Sequence, residues 1–237
     1  MRLPDGYRLV NLPRVDSTNA EALRRAAEGA PHGTVVLAAE QTAGRGRRGR
    51  SWLPAPGNLY MTVLVRPPAG HAAAQLSFVA AVALGEAMDR ETDFRFKWPN
   101  DLLAGGRKIA GILIEADGEA AAVGIGVNAA RTPDGVSDTA ADLGGRIDAA
   151  TLCARICSTF DRWYRRWLDE GFGPVRDAWL SRATGLGEVV SVRSARGTVS
   201  GRFDRLTANG AMVLVDASGI ETEIAAGEVF FGRRACC

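Results

Sequence analysis

Apolar residues along this chain recur at two spacings, and the spacing marks the elements. Over residues 149–170, Leu152, Ile156, Phe160, Trp163 and Trp167 fall three or four apart and share one face of a helix. Residues 58–66, NLYMTVLVR, alternate with period two and stop at Pro67 and Pro68, which predicts a strand. KIAGILIEA (108–116) and AAVGIGVN (121–128) are apolar runs of strand length around Gly118, which predicts a central hairpin. GTVVLAAE (33–40) and FRFKW (94–98) read as two further strands, the second stopped by Pro99. The stretch 72–90 is apolar all round and predicts a buried helix. Two more helices are predicted, over 174–183 and over 17–29, where Thr18 and Glu21 have capping-box spacing and Gly29 is a stop signal. Residues 131–146 are polar and predict a loop.

From Gly187 onward the pattern changes. EVVSVR, GTVSGRFDRL, AMVLVD and IETEIAAGEVFF are short alternating segments punctuated by glycine and Asn-Gly, the pattern of a small all-β barrel. The chain of 237 residues therefore divides into a large domain of mixed helices and strands and a small β unit.

Charge narrows the function. The 29 basic and 27 acidic side chains leave a net charge of +2, which excludes a chain-wide nucleic-acid coat. The start, MRLPDGYRLV, has no apolar core of a signal peptide. The longest apolar run, 72–88, is short for a membrane span and is interrupted by Gln75, Ser77 and Glu86. These readings predict a cytoplasmic protein with no membrane contact. Cys153 and Cys157 sit on a helical pattern and Cys236 and Cys237 end the chain; with histidine only at 32 and 71, buried free thiols are expected rather than a zinc site. The role of the terminal pair is open. So few histidines also argue against imidazole as the general base.

Against this neutral background QTAGRGRRGRSW (41–52) stands out. It puts Arg45, Arg47, Arg48 and Arg50 among Gly44, Gly46 and Gly49. Such a segment cannot pack a core. It reads as a loose basic loop for a phosphate, with glycine opening the backbone N–H groups and arginine giving bidentate bonds. It lacks the Lys-Ser/Thr ending of a P-loop. Trp52 offers a face for a purine or, equally, a core side chain. In KWPNDLL, Pro99 leaves Asn100 and Asp101 on a tight turn, where the carboxylate could bind Mg²⁺ or orient an amine. Lys108 begins an apolar strand, as a solvated gatekeeper or as the holder of a carboxylate or phosphate. Gly111, Gly124 and Gly126 lie mid-strand, where a bulge or a close ligand approach is expected.

Taken in order, Ser17-Thr18-Asn19, Gln41 with AGRGRRGRSW, KWPNDLL, RKIAGILIE and GIGVN resemble the biotin protein ligases, or biotin–[acetyl-CoA-carboxylase] ligases, over residues 15–232. The resemblance implies an α+β fold: a mixed-sheet biotin/lipoate-ligase-like catalytic domain over 1–185 and an SH3-like β-barrel over 186–237. It implies an enzyme that uses ATP and Mg²⁺ to activate biotin as biotinyl-5'-AMP. The biotinyl group then passes to one lysine of a biotin carboxyl carrier domain of the acetyl-CoA or pyruvate carboxylase type. Ser17, Thr18, Asn19 and Gln41 are expected to face the biotin rings. Arg45, Gly46 and Arg47 would wrap the biotinyl-AMP, with Arg47 nearest the phosphate. Trp52 and Asn128 would lie by the adenine. Lys108 would bond the biotin carboxylate and the α-phosphate, and Gly111, Gly124 and Gly126 would admit biotin close to the backbone. Asn100 and Asp101 would serve Mg²⁺ or the incoming lysine, Asp101 being the metal candidate and, with Arg47 and Lys108, catalytic. Some members also carry an N-terminal helix-turn-helix. Here the Ser-Thr-Asn motif begins almost at the start, so no DNA binding is expected. A homodimer through an exposed sheet edge is left open. Two rivals are a lipoate or octanoate ligase or transferase of the same fold and a non-enzymatic nucleic-acid module using the Arg/Gly loop.

Overall fold

Eleven elements build the larger part of the protein: β1 (Arg8–Leu12), α1 (Thr18–Ala27), β2 (Thr34–Ala38), β3 (Leu59–Val65), α2 (Leu76–Met88), β4 (Arg95–Lys97), β5 (Asp101–Ala104), β6 (Arg107–Asp117), β7 (Ala120–Val127), α3 (Ala149–Glu170) and α4 (Gly173–Leu180). These come from a computed structural model that describes residues 2–136 and 139–231, so Cys236 and Cys237 lie outside it. The seven strands form one sheet in the order β1-β2-β3-β7-β6-β5-β4. Only β1 with β2 is parallel; every other pair is antiparallel, so the sheet is mixed.

Strand alternation sorts the two faces. In β3 and β7, Leu59, Met61, Val63, Val123, Ile125 and Val127 point into the main core, beneath α2 and α3. Helix α3 presents Leu152, Ile156, Phe160 and Trp167 as the periodicity predicts. Each such leucine, isoleucine or phenylalanine, once buried, contributes roughly 1.5–3 kcal/mol. Trp163 is the exception on that stripe: it is only partly buried, and its Nε1 donates to Glu86 Oε2 at 2.8 Å. Cys153 and Cys157 are free thiols buried in the same helix. On the opposite face Val36, Ala122 and Ala22 make a small separate cluster under α1. There the even positions of β7 shrink to Gly124 and Gly126, and the sheet is left open.

The second sheet is antiparallel throughout, in the order β11-β10-β9-β8-β12, from β8 (Val189–Ser194), β9 (Gly197–Leu206), β10 (Met212–Val215), β11 (Glu221–Ile224) and β12 (Glu228–Phe231). It is a small barrel-like unit. Its inner residues, Val190, Val192, Phe203, Leu214 and Val229, join the main core rather than forming a separate one. Trp98 Nε1 donates to Gly210 O at 3.1 Å and ties the turn after β9 to the KWPN segment.

Three elements differ from the reading of the sequence. β1 escaped it because RLVNL is a half-exposed edge strand held by pairing with β2. The tight turn after Pro99 ends one residue early, and Asp101 opens β5 instead of sitting in the turn. Helix α1 is capped by Ser17, whose side chain accepts from Ala20 N; Thr18 is the first helical residue and its hydroxyl is used elsewhere.

Candidate active site

The open face is a trough. Its floor is glycine: Gly111 of β6 pairs directly with Gly126 of β7, and Gly124 follows two residues away on the same face. These positions are small because other groups come down on them. A Cβ on Gly124 would stand 2.3 Å from Asn19 Oδ1, and one on Gly126 would stand 2.7 Å from the Trp52 indole. Neither distance is compatible with a side chain, so the mid-strand glycines are sites of close approach. No bulge occurs at them.

The start of α1 forms one wall. Ser17, Thr18 and Asn19 are buried, as is Gln41. Gln41 Oε1 accepts from Thr18 N at 2.8 Å and from Thr18 Oγ1 at 3.1 Å. Thr62 of β3 lies beneath them, fully buried, its hydroxyl 2.7 Å from Asn19 Oδ1 and 2.8 Å from Thr18 Oγ1. Buried polar groups in such a net are satisfied and held in fixed directions.

The Arg/Gly loop forms the other wall, and it is more constrained than its composition predicts. Gly46 N donates to Arg50 O at 2.6 Å and Trp52 N to Gly44 O at 2.9 Å, closing a tight turn with Arg48 at a φ of 58°. Its charges find partners far away in sequence. Arg45 pairs with Glu115 at 2.9 Å, and Arg50 with Glu228 of the second sheet at 2.8 Å. Arg48 donates to the Arg193 carbonyl at 3.3 Å. Arg47 alone turns inward, where Nη1 donates to Asn100 Oδ1 at 3.2 Å. Burial first, and the neighbouring Arg48 charge second, pull the Arg47 guanidinium below its ordinary range. An anion beside it would relieve that penalty.

Lys108 reaches the site through a backbone irregularity. In a regular strand, residues 108 and 111 would face opposite sides. The β5–β6 register shifts between Leu102 and Leu103, so Asp101 faces Gly111 but Leu103 faces Lys108. Such a bulge re-aims a side chain. Lys108 Nζ pairs with Asp101 Oδ1 at 2.7 Å and stands 5.3 Å from the centre of the Trp52 ring. Lys97, one turn away, is a basic group not singled out in the sequence; burial holds its ammonium below the usual lysine value. Among the described residues no cluster of three or more His, Cys, Asp or Glu side chains could hold a metal ion.

Ser17, Thr18, Asn19, Gln41, Gly46 and Arg47 thus come together with Trp52, Asn100 and the glycine floor around one polar cavity. Trp52 also walls a second cavity of about 230 Å³ with Lys108, Asn128, Pro133, Val136 and Ala140. Of the expected set, Arg45 stays at the rim, paired with Glu115. Asn128 lines the second cavity, but its Nδ2 donates to Ala141 O at 3.0 Å, which ties it to the segment that follows Ala140. The reading of the sequence missed Thr62 and Glu115. Thr62 is the lone aliphatic hydroxyl in an apolar strand and Glu115 the carboxylate that interrupts the apolar run ILIEA, and those were the available signals.

The biotin/lipoate A/B protein ligase family matches residues 12–129, the stretch that carries the trough, the basic loop and both glycine strands. A biotin–[acetyl-CoA-carboxylase] ligase of Paracoccus denitrificans is 43% identical, over 93% of this chain and 99% of its own length. The chain belongs to the biotin protein ligases. A bifunctional ligase/repressor of Bacillus subtilis is 34% identical over 91% of this chain and 72% of its own length. Among solved structures, a biotin protein ligase from Aquifex aeolicus in complex with biotin and ATP superposes with a TM-score of 0.83 at 29% identity, covering 94% of this chain and 97% of that one.

A first prediction concerns the floor of this biotin protein ligase. Gly126→Ala puts a methyl group into the Trp52 indole and must displace it. The expected result is a rise of about tenfold in KM for ATP, roughly 1.4 kcal/mol, with a smaller change for biotin. Steady-state kinetics with each substrate varied in turn checks it; a larger effect on biotin would place Trp52 on the wrong substrate.

Proposed function

We infer that this ligase condenses biotin with ATP to biotinyl-5'-AMP and passes the biotinyl group to one lysine of a biotin carboxyl carrier domain. The observation that carries the reading is the pair of cavities meeting at Trp52, with Arg47 on one side and Lys108 on the other. Two substrates can lie end to end there with both cations at the junction.

The chemistry follows from charge. A biotin carboxylate oxygen must bond to the α-phosphorus while the bond to pyrophosphate breaks, and both reactants are anions. Arg47 and Lys108 neutralise the approach and hold the charge that builds at phosphorus. Asp101 holds the Lys108 ammonium in place through their ion pair at 2.7 Å. In the second step the acceptor lysine's amine attacks the acyl carbon and AMP leaves; Asp101 and Asn100 border that path. Asp101 is the carboxylate that would hold Mg²⁺, which would supply neutralising charge to the phosphates of ATP. The net of Thr18, Asn19, Gln41 and Thr62 favours biotin over an aliphatic acid. A ureido ring returns hydrogen bonds to it, whereas a fatty chain would desolvate it without return. No described helix is long and apolar enough to cross a membrane. The free buried thiols Cys153 and Cys157 fit a reducing cytoplasm.

Intact-mass analysis of a carrier domain incubated with the protein, Mg-ATP and biotin, lipoate or octanoate tests this. One biotin-sized addition, dependent on ATP, is expected. Addition of lipoate or octanoate instead would overturn the substrate assignment. No addition and no acyl-adenylate would overturn the reaction.

A further inference from the structure

Glu115 lies just outside the trough, near the far end of β6, and its two oxygens serve two different walls. Oε2 accepts from Asn19 Nδ2 at 2.8 Å. Oε1 pairs with Arg45 Nη1 at 2.9 Å. Asn19 is fixed at its other end too, because its Oδ1 can only accept and receives the Thr62 hydroxyl at 2.7 Å. Its Nδ2 also donates to Leu113 O at 3.2 Å. Gly124 lies directly beneath, leaving room for this side chain and nothing else. A run of polar contacts therefore starts at Gln41, which accepts from the Thr18 N–H, and passes through the Thr18 and Thr62 hydroxyls, Asn19 and Glu115 to Arg45. It begins in the wall that takes biotin and ends on the first arginine of the loop that takes the phosphate.

We propose that Glu115 is a positioning residue that couples the biotin wall to the basic loop: one carboxylate holds Asn19 for the biotin rings and anchors Arg45, and with it the start of the loop, at the rim of the adenylate site. A carboxylate suits both tasks because both partners are donors. A glutamine of equal size has one acceptor and no charge: the guanidinium of Arg45 takes the remaining oxygen without its ion pair, and the amide N–H group is turned against Asn19 Nδ2, so both contacts are weakened. The inference rests on the biotin-ligase reading.

The test is a double-mutant cycle with E115Q, R45Q and the double variant. It measures KM for biotin, KM for ATP, the dissociation rate of biotinyl-AMP and the thermal midpoint. E115Q should raise the biotin KM about tenfold and speed adenylate release about tenfold, with KM for ATP and the thermal midpoint nearly unchanged. The release effect should vanish in the R45Q background, while the biotin effect persists there through Asn19. Simple loosening of the fold would instead move both substrates together and add to R45Q. That result, or an unchanged biotin KM in E115Q, overturns the coupling. Absence of biotinyl-AMP with the unmutated protein overturns the functional reading, and this inference with it.

Discussion

Lys108→Gln is expected to slow biotinyl-AMP formation by about 10²–10³, the usual loss when one pre-placed donor to a developing anion is removed. The bulge in β6 has already aimed the ammonium into the site, beside Asp101 and over Trp52, so no reorganisation precedes reaction. Glutamine retains most of the side chain's length and loses the charge. A complication has its own control: the variant leaves Asp101 without its ion partner, and an uncompensated carboxylate could repel both substrates. Adding Asp101→Asn removes that repulsion. If Lys108 acts on the phosphate, the double variant stays slow; recovery to near the unmutated rate would show that Lys108 only neutralises Asp101. Single-turnover release of pyrophosphate reads the chemical step directly.

That bulge also shows where the sequence stops being informative. The apolar runs of β3, β6 and β7 and the apolar stripe of α3 follow from burial, which composition records residue by residue. The motifs come together in space: the Ser-Thr-Asn start of α1, Gln41, Arg47 and the mid-strand glycines line one cavity. Register is different. It is decided by pairing between strands distant in the chain, and a one-residue slip sends a side chain to the other face. KIAG does not announce that Ile109 is the extra residue that brings Lys108 onto the face of Gly111. The partners of the loop's arginines were hidden for the same reason. Glu115 and Glu228 lie 70 and 178 residues from the arginines they meet, and only the folded sheets bring them together. The resemblance singles out Arg47; the fold adds that the other three arginines meet partners elsewhere.

Arg47→Gly is expected to raise KM for ATP, slow adenylation by about 10²–10³ and release biotinyl-AMP before the carrier arrives. Arg47 is the inward arginine, held on Asn100 and partly stripped of water, so its charge is presented to the cavity with little screening. Gly46 and Gly49 flank the turn, and a third glycine there should not disturb its backbone. The released mixed anhydride would acylate exposed lysines indiscriminately, so mass mapping of bystander proteins should find scattered biotin. The matched control is Arg48→Asn, one residue along. Asparagine tolerates the positive φ at that position, and the lost guanidinium only met the Arg193 carbonyl on an exposed surface. It removes the same charge from the same loop but should change KM and adenylate release less than about threefold. If both variants fail equally, and added salt reduces activity of the unmutated protein in the same proportion, the loop acts as a diffuse positive field. A large loss confined to Arg47 and insensitive to salt identifies a direct clamp on the phosphate, because a buried contact is poorly screened.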